Sequence, residues 1–264
     1  MKDFFIKNKK PVFIAAIILV LVFIFTTAAI SNPSTIAKGN IDDISTCSIP
    51  EGKIIAHGID VSVYQGEIDF EQVKESGFSF VIIKAGSTGF GADANFEKYY
   101  KAAQKAGLDI GCYYYTYSVT PEGANADADE LLRIIKGKTF TYPVFLDLED
   151  INIQSAEMIE SNTGMINAFC NKIKRKGYYP GVYTSTSVYN NYVDSASLVN
   201  TWDFWIASYD DHTYNSDAYH KDFSMWQYSN AGIVNGIDHE VDLDVSYVDY
   251  PKLTKEFKDK ILGL

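Results

Sequence analysis

The stretch Leu146-Asp147-Leu148-Glu149-Asp150 closes an apolar run that begins at Tyr142. Side chains alternate along a strand, so Asp147 and Glu149 point the same way. Their Cα atoms would lie about 6.6 Å apart at ~3.3 Å per residue. Like charge and partial burial raise the tendency of one carboxyl to keep its proton. A protonated and an ionised carboxyl side by side are what acid/base cleavage of a glycosidic bond requires. An exposed acidic loop after the strand is the other reading of the same residues. Asp60 ends a second apolar run, inside the stretch 57–66; an aspartate there is, taken alone, more often a turn or cap residue. Asp242, in Val241-Asp242-Leu243-Asp244, adds a third carboxylate if its strand sits beside the first.

Other chemistries have weaker support. Asp238-His239-Glu240 with Asp242 and Asp244 lacks the glycine and closing glutamate of a calcium loop. The four histidines, at 57, 212, 220 and 239, show no ligand spacing. No metal and no cofactor is expected. The segment Gly86-Ser87-Thr88-Gly89-Phe90-Gly91 follows a strand but lacks the lysine ending of a phosphate loop and the dinucleotide spacing; it reads as a plain loop. Tyr113-Tyr114-Tyr115 with Tyr117 puts at least two rings on one face of a strand. Rings of this kind suit either sugar binding or core packing, and Trp205 and Trp226 share that ambiguity.

The elements that would carry these residues alternate. Ala56–Val61, Phe78–Ala85, Leu108–Tyr115, Tyr142–Leu148, Tyr179–Tyr183, Phe204–Ala207 and Met225–Tyr228 read as strands, several as continuous apolar runs covered on both faces. Between them Phe70–Ser76, Ala94–Ala106, a segment from Thr120-Pro121 to about Ile135, and Ala156–Lys176 have helical spacing or caps. The pattern predicts an α/β fold with a parallel sheet, most simply closed into a barrel.

The N-terminus is different. Lys2, Lys7, Lys9 and Lys10 precede an uncharged run from Val12 to Ile30. As a helix this run is roughly 28 Å long, close to the ~30 Å hydrocarbon core. It is read as a transmembrane signal-anchor over 12–30, with 1–11 cytoplasmic, 31–52 a linker and 53–264 one folded domain outside the cell. A signal peptide cleaved after Ala29 is the alternative and would leave a secreted protein. The whole chain carries a formal charge of −11. Removing residues 1–31, with four lysines and one aspartate, leaves the exported part at −14 with all 19 tyrosines and all three tryptophans. Such acidity argues against nucleic acid as a partner. Of the three cysteines, Cys112 and Cys170 fall in apolar runs and read as buried free thiols.

The ordered set is more specific than its parts. The chain resembles the family-25 glycoside hydrolases, the muramidases (lysozymes) of bacterial and phage origin. The stretch HGIDVSVYQGEIDF is similar to the family's opening strand, with Asp60 and Tyr64 inside it. FSFVIIKAGSTG ends its strand in Lys84, and AGLDIGCYYYTY carries Tyr113 and Tyr115. YPVFLDLED holds the Asp-x-Glu pair, GVYT holds Tyr183, and FWIASY, MWQYS (with Trp226) and VDLD follow in order. The resemblance covers about residues 54–250. It departs from the family after Lys84, where no glutamate follows, at Tyr114, and at Asp244, where the family often has asparagine.

The resemblance implies an irregular, flattened TIM-like α/β barrel with its site at the strand C-termini. It implies hydrolysis of the β-1,4 bond from N-acetylmuramic acid to N-acetylglucosamine in peptidoglycan. Glu149 matches the acid/base, Asp147 its partner carboxylate, and Asp60 and Asp242 the acids that line the site. Tyr64, Lys84, Tyr113, Tyr115, Tyr183 and Trp226 are the expected substrate contacts. Carboxylates two residues apart also resemble substrate-assisted glycosidases, in which the sugar's 2-acetamido group attacks. A non-catalytic glycan-binding or assembly protein on the same barrel is the competing expectation.

Overall fold

An apolar, β-branched run can be covered on both faces only inside a closed or doubly packed sheet, and the structure provides a closed one. The computed structural model describes residues 54–209 and 223–263. The segment 1–11 expected to be cytoplasmic, the apolar run 12–30, the expected linker 31–52, the expected cleavage point after Ala29, and Cys47, His212 and His220 lie outside the described residues. No helix among the described residues is long and apolar enough to cross a membrane.

The strands are β1 (Ala56–Val61), β2 (Phe80–Ser87), β3 (Gly91–Ala92), β4 (Asp109–Tyr115), β5 (Val144–Asp147), β6 (Pro180–Ser185), β7 (Asp203–Ala207), β8 (Met225–Gly232) and β9 (Val241–Ser246). Their order is β1-β9-β8-β7-β6-β5-β4-β2-β3, and β1 also pairs with β2, which closes eight of them into a barrel. Helices α1 (Phe70–Glu75), α2 (Phe96–Ala106), α3 (Pro121–Ile134), α4 (Ile159–Arg175), α5 (Thr186–Asn191), α6 (Ser195–Leu198) and α7 (Tyr250–Leu262) accompany them. Helix α3 starts where expected, with the Thr120 side chain accepting from Gly123 N and Pro121 in the first turn.

The all-parallel expectation needs correction. Strand β9 runs antiparallel to both β8 and β1. The reason is the connection: about eight residues without a helix join β8 to β9, too few for a parallel crossover. Two further corrections concern length and number. Strand β5 ends at Asp147 rather than Leu148, and β3, α5, α6 and, the longest of them, α7 were not expected. The start of α7 was nevertheless written in the chain, since Asp249 accepts from Lys252 N at 3.1 Å and Pro251 occupies the first turn.

Alternation along the strands sorts the core into two layers. Val81, Ile83, Cys112, Val144, Leu146, Val182, Phe204 and Ile206 face outward and pack under the helices. Phe80, Ile82, Phe145, Trp205, Met225 and Tyr250 fill the lower barrel interior. Tyr250, at the start of α7, closes the lower end, and its hydroxyl donates to Asp203 Oδ2 at 3.0 Å. Cys112 and Cys170 are buried free thiols. Room for the inner rings comes from glycine: a Cβ on Gly181 would meet the Phe145 ring at 2.5 Å, and one on Gly58 the Phe80 ring at 2.2 Å. Gly181→Ala is therefore expected to lower stability by roughly 1–3 kcal/mol through overpacking, read by urea denaturation against the wild type.

Candidate active site

The upper ends of the strands carry polar side chains inward. Asp60 lies on β1 directly opposite Asp242 on β9. Asp147 is the last residue of β5, and Glu149 lies two residues further on. The chain past β5 keeps its course because Leu148 N donates to Tyr183 O at 3.0 Å and Thr184 Oγ1 donates to Leu148 O at 2.6 Å. Asp150 turns away to cap the next 3-10 turn through Asn152 N at 2.9 Å, and Gln154 Nε2 donates to Glu149 O at 3.0 Å. Glu149 is thus fixed although it stands outside a strand. A cavity of about 400 Å³ opens here, within the range of small-molecule sites. Asp60, Asp147, Glu149 and Asp242 line it together with Lys84, Tyr64, Tyr113, Tyr115, Tyr117, Tyr183, Trp205, Tyr209 and Gln227.

Gln227 organises one wall. Its Nε2 donates to Asp60 Oδ2 at 2.6 Å, while its Oε1 accepts from Tyr183 OH at 2.9 Å and Tyr209 OH at 2.5 Å. On the opposite wall Lys84 Nζ stands 5.2 Å from the Tyr115 ring centre and 5.9 Å from that of Tyr113. Asp147 is buried, and its Oδ1 has no hydrogen-bond partner among the described residues. Such an acceptor is a place for a donor from a bound molecule.

Crowding sets the protonation of the acids. Burial pushes Asp147 well above the usual carboxylate range, Glu149 adds to this, and Lys84 opposes it. Burial also raises Glu149, with Lys84 opposing and Asp242 and Asp150 adding. Asp60 is raised by burial first and then by Asp242 and Asp244, against the Gln227 hydrogen bond. Burial pushes Asp242 up to about 6. All four acids therefore hold a proton more tightly than a free carboxyl does, as a general acid must.

The sequence profile of "Glycosyl hydrolases family 25" matches residues 59–237. The chain belongs to this family. The family match contains Asp60, Lys84, Asp147, Glu149, Tyr183 and Gln227, whereas β9 with Asp242 lies beyond it. Among its relatives, an "Autolytic lysozyme" of Clostridium acetobutylicum is 35% identical over 187 residues, covering 71% of this chain and 54% of that protein. The match thus spans about half the length of that relative. "Lysozyme M1" of Streptomyces globisporus is 31% identical over 193 residues, covering 70% of this chain and 65% of that protein. A solved bacterial lysozyme from Streptomyces coelicolor superposes with a TM-score of 0.64 at 25% identity, covering 77% of this chain and 97% of that one.

The family-25 barrel gathers nine of the ten expected site residues around one cavity. Trp226 is the exception. It faces outward, packs against Tyr228 at 5.7 Å between ring centres and donates to Ser208 O. Alternation explains this: Met225 and Gln227 on the same strand face the interior. Trp205 takes the inward place instead, 4.4 Å from the Tyr183 ring centre. Gln227 and Tyr209 were not singled out. Both lie in or near matched motifs, and only the direction of each side chain tells a site residue from a core residue. For Asp242 the folded value of about 6 lies above the unfolded value of about 3.9. The folded state then holds more protons across that interval, so stability falls as pH rises from about 4 to 6. Asp242→Asn is expected to flatten this fall in Tm, measured by calorimetry from about one unit below the unfolded value to about one unit above the folded one.

Proposed function

We propose that the chain is a muramidase that hydrolyses the β-1,4 bond between N-acetylmuramic acid and N-acetylglucosamine in peptidoglycan. The observation that carries this is the pair Asp147 and Glu149 in one cavity, with Glu149 partly accessible and Asp147 Oδ1 unpartnered. The lysozyme relatives support the substrate class. All four carboxylates turn inward, which favours catalysis over glycan binding alone.

In this reading Glu149 protonates the leaving glycosidic oxygen, helped by the burial that holds its proton. Asp147 accepts the N–H of the sugar's 2-acetamido group with its free Oδ1 and steadies the charge that forms as the acetamido oxygen attacks the anomeric carbon. Glu149 then takes a proton from water, which opens the intermediate with net retention. Asp60 and Asp242 line the sugar's subsite. Aromatic rings extend from the cavity: Tyr115 lies 4.7 Å from Tyr117 between ring centres, and Tyr117 lies 5.8 Å from Phe90. Phe90 and Tyr64 are 79% and 80% exposed, and exposed rings of this kind suit a glycan chain longer than one repeat. Tyr117 is held ready for this, since its N–H donates to Thr88 Oγ1 and the flanking Thr116 and Ser118 hydroxyls donate to Asp127.

Glu149→Gln is expected to abolish release of soluble fragments from peptidoglycan, a loss on the order of 10²–10⁴ or more, with Tm preserved. Mass spectrometry of the digest checks the bond cut. Full activity in that variant overturns the acid assignment. NMR of the first-formed sugar is expected to show the β anomer, and an inverted product removes the role given to Asp147.

We also propose that the run 12–30 anchors the chain, with the barrel outside the cell near the wall. The support is its length and the four preceding lysines. The full-length protein is expected in the membrane fraction with Met1-proximal sequence intact. An N-terminus at Ile30 in a secreted product would establish the cleaved form instead.

A further inference from the structure

Asp244 is a carboxylate for which the mechanism above has no use. It follows Asp242 by two residues on β9, shares its inward face and is fully buried. Trp205 Nε1 donates to its Oδ1 at 2.8 Å. Its Oδ2 receives no donor among the described residues. Asp60 stands diagonal to Asp244 across the β1–β9 pairing, and Gln227, directly opposite Asp244 on β8, reaches over to donate from Nε2 to Asp60 Oδ2 at 2.6 Å. Two ionised carboxylates are acceptors only, so their contact is repulsive and leaves a buried oxygen unsatisfied. One proton between them converts the contact into a short charge-assisted hydrogen bond.

We propose that Asp60 and Asp244 share one proton at neutral pH, and that Asp244 is thereby the positioning residue for Asp60. The surroundings agree. Asp242 on the same strand and Asp147 on β5 add negative charge near the pair. Gln227 from β8 and Trp205 from β7 offer hydrogen bonds without charge. Tyr113 on β4, Tyr142 below it, and Tyr183 and Tyr209 on the Gln227 side are phenols held neutral by burial. Lys84 on β2 acts on Asp147 and Glu149 across the cavity rather than on the pair. Burial raises both members of the pair, so a proton is retained there. The proton completes a chain of hydrogen bonds from Trp205 through Asp244, Asp60 and Gln227 to Tyr183 and Tyr209. That chain fixes the cavity wall on which Asp60 stands.

The positioning role rests on the reading of the cavity as a glycosidase site, whereas the proton itself does not. Infrared spectra of the full-length protein in heavy water at neutral pH test it. The wild type is expected to show a protonated-carboxyl C=O band that is lost in Asp244→Asn and equally in Asp60→Asn, with no second band lost in the double variant. A band that survives either single substitution, or two separate bands lost in the double variant, overturns the shared proton. Asn at 244 can still accept from Trp205 and donate to Asp60, while Leu can do neither. On the same preparations kcat for peptidoglycan is therefore expected to fall at least tenfold in Asp244→Leu and to recover in part in Asp244→Asn, with KM little moved. Equal kcat in the wild type and the Leu variant overturns the positioning role. The expected bands in a wild type without glycan cleavage would uphold the proton and overturn the proposed function.

Discussion

Strand Val241–Ser246 hydrogen-bonds to Ala56–Val61 on one side and to Met225–Gly232 on the other, antiparallel to both. Residues from the two ends of the folded domain meet through this one strand. It seals the barrel, and its alternation sends Asp242 and Asp244 inward while Val241 and Val245 go into the outer core. Register then does the rest: Asp242 falls opposite Asp60, and Gln227 falls opposite Asp244. A shift of one residue would turn both aspartates into the apolar layer under the helices.

That closure has an electrostatic consequence. Asp60, Asp147, Glu149, Asp242 and Asp244 crowd the upper barrel, with Lys84 as the cation lining the same cavity. Desolvation and mutual repulsion both disfavour so much negative charge. The described residues answer with neutral donors: Gln227 on Asp60 and the Trp205 indole on Asp244. Burial first, and the neighbouring carboxyls after it, raise Asp60, Asp147 and Glu149 above the ordinary carboxyl range. The same tension that is costly for the fold keeps an acid group protonated where a leaving oxygen would need one.

Aromatic residues serve two different ends of the barrel. Below the site, Phe80, Phe145, Trp205 and Tyr250 form a solid floor, and Gly58 and Gly181 make room for its rings. Above it, Tyr115, Tyr117 and Phe90 lead outward along one rim. The hairpin that carries Phe90 has Gly89 and Gly91 at positive φ, +77° and +75°, and Gly86 where any Cβ would meet Gly91 O at 2.2 Å. What the sequence offers as a plain glycine loop is thus a tight hairpin that holds an exposed ring beside the cavity.

The order of motifs was enough to name the family, the apolar runs were enough to place seven of the nine strands within a few residues, and the motif VDLD placed β9. Local signals suffice there because strand propensity, caps such as Thr120 and the pairing of Asp147 with Glu149 are properties of neighbours in the chain. The direction of β9, the floor made by α7 and the choice between Trp205 and Trp226 were not local. A tryptophan is equally at home in a core or against a sugar, and alternation gives two faces without saying which is inside. Only closure of the barrel decides that, because it defines an interior. It also brought Asp60, Gln227 and Asp244 together from positions as much as 184 residues apart, and no spacing rule along a chain encodes a contact made across a closed sheet.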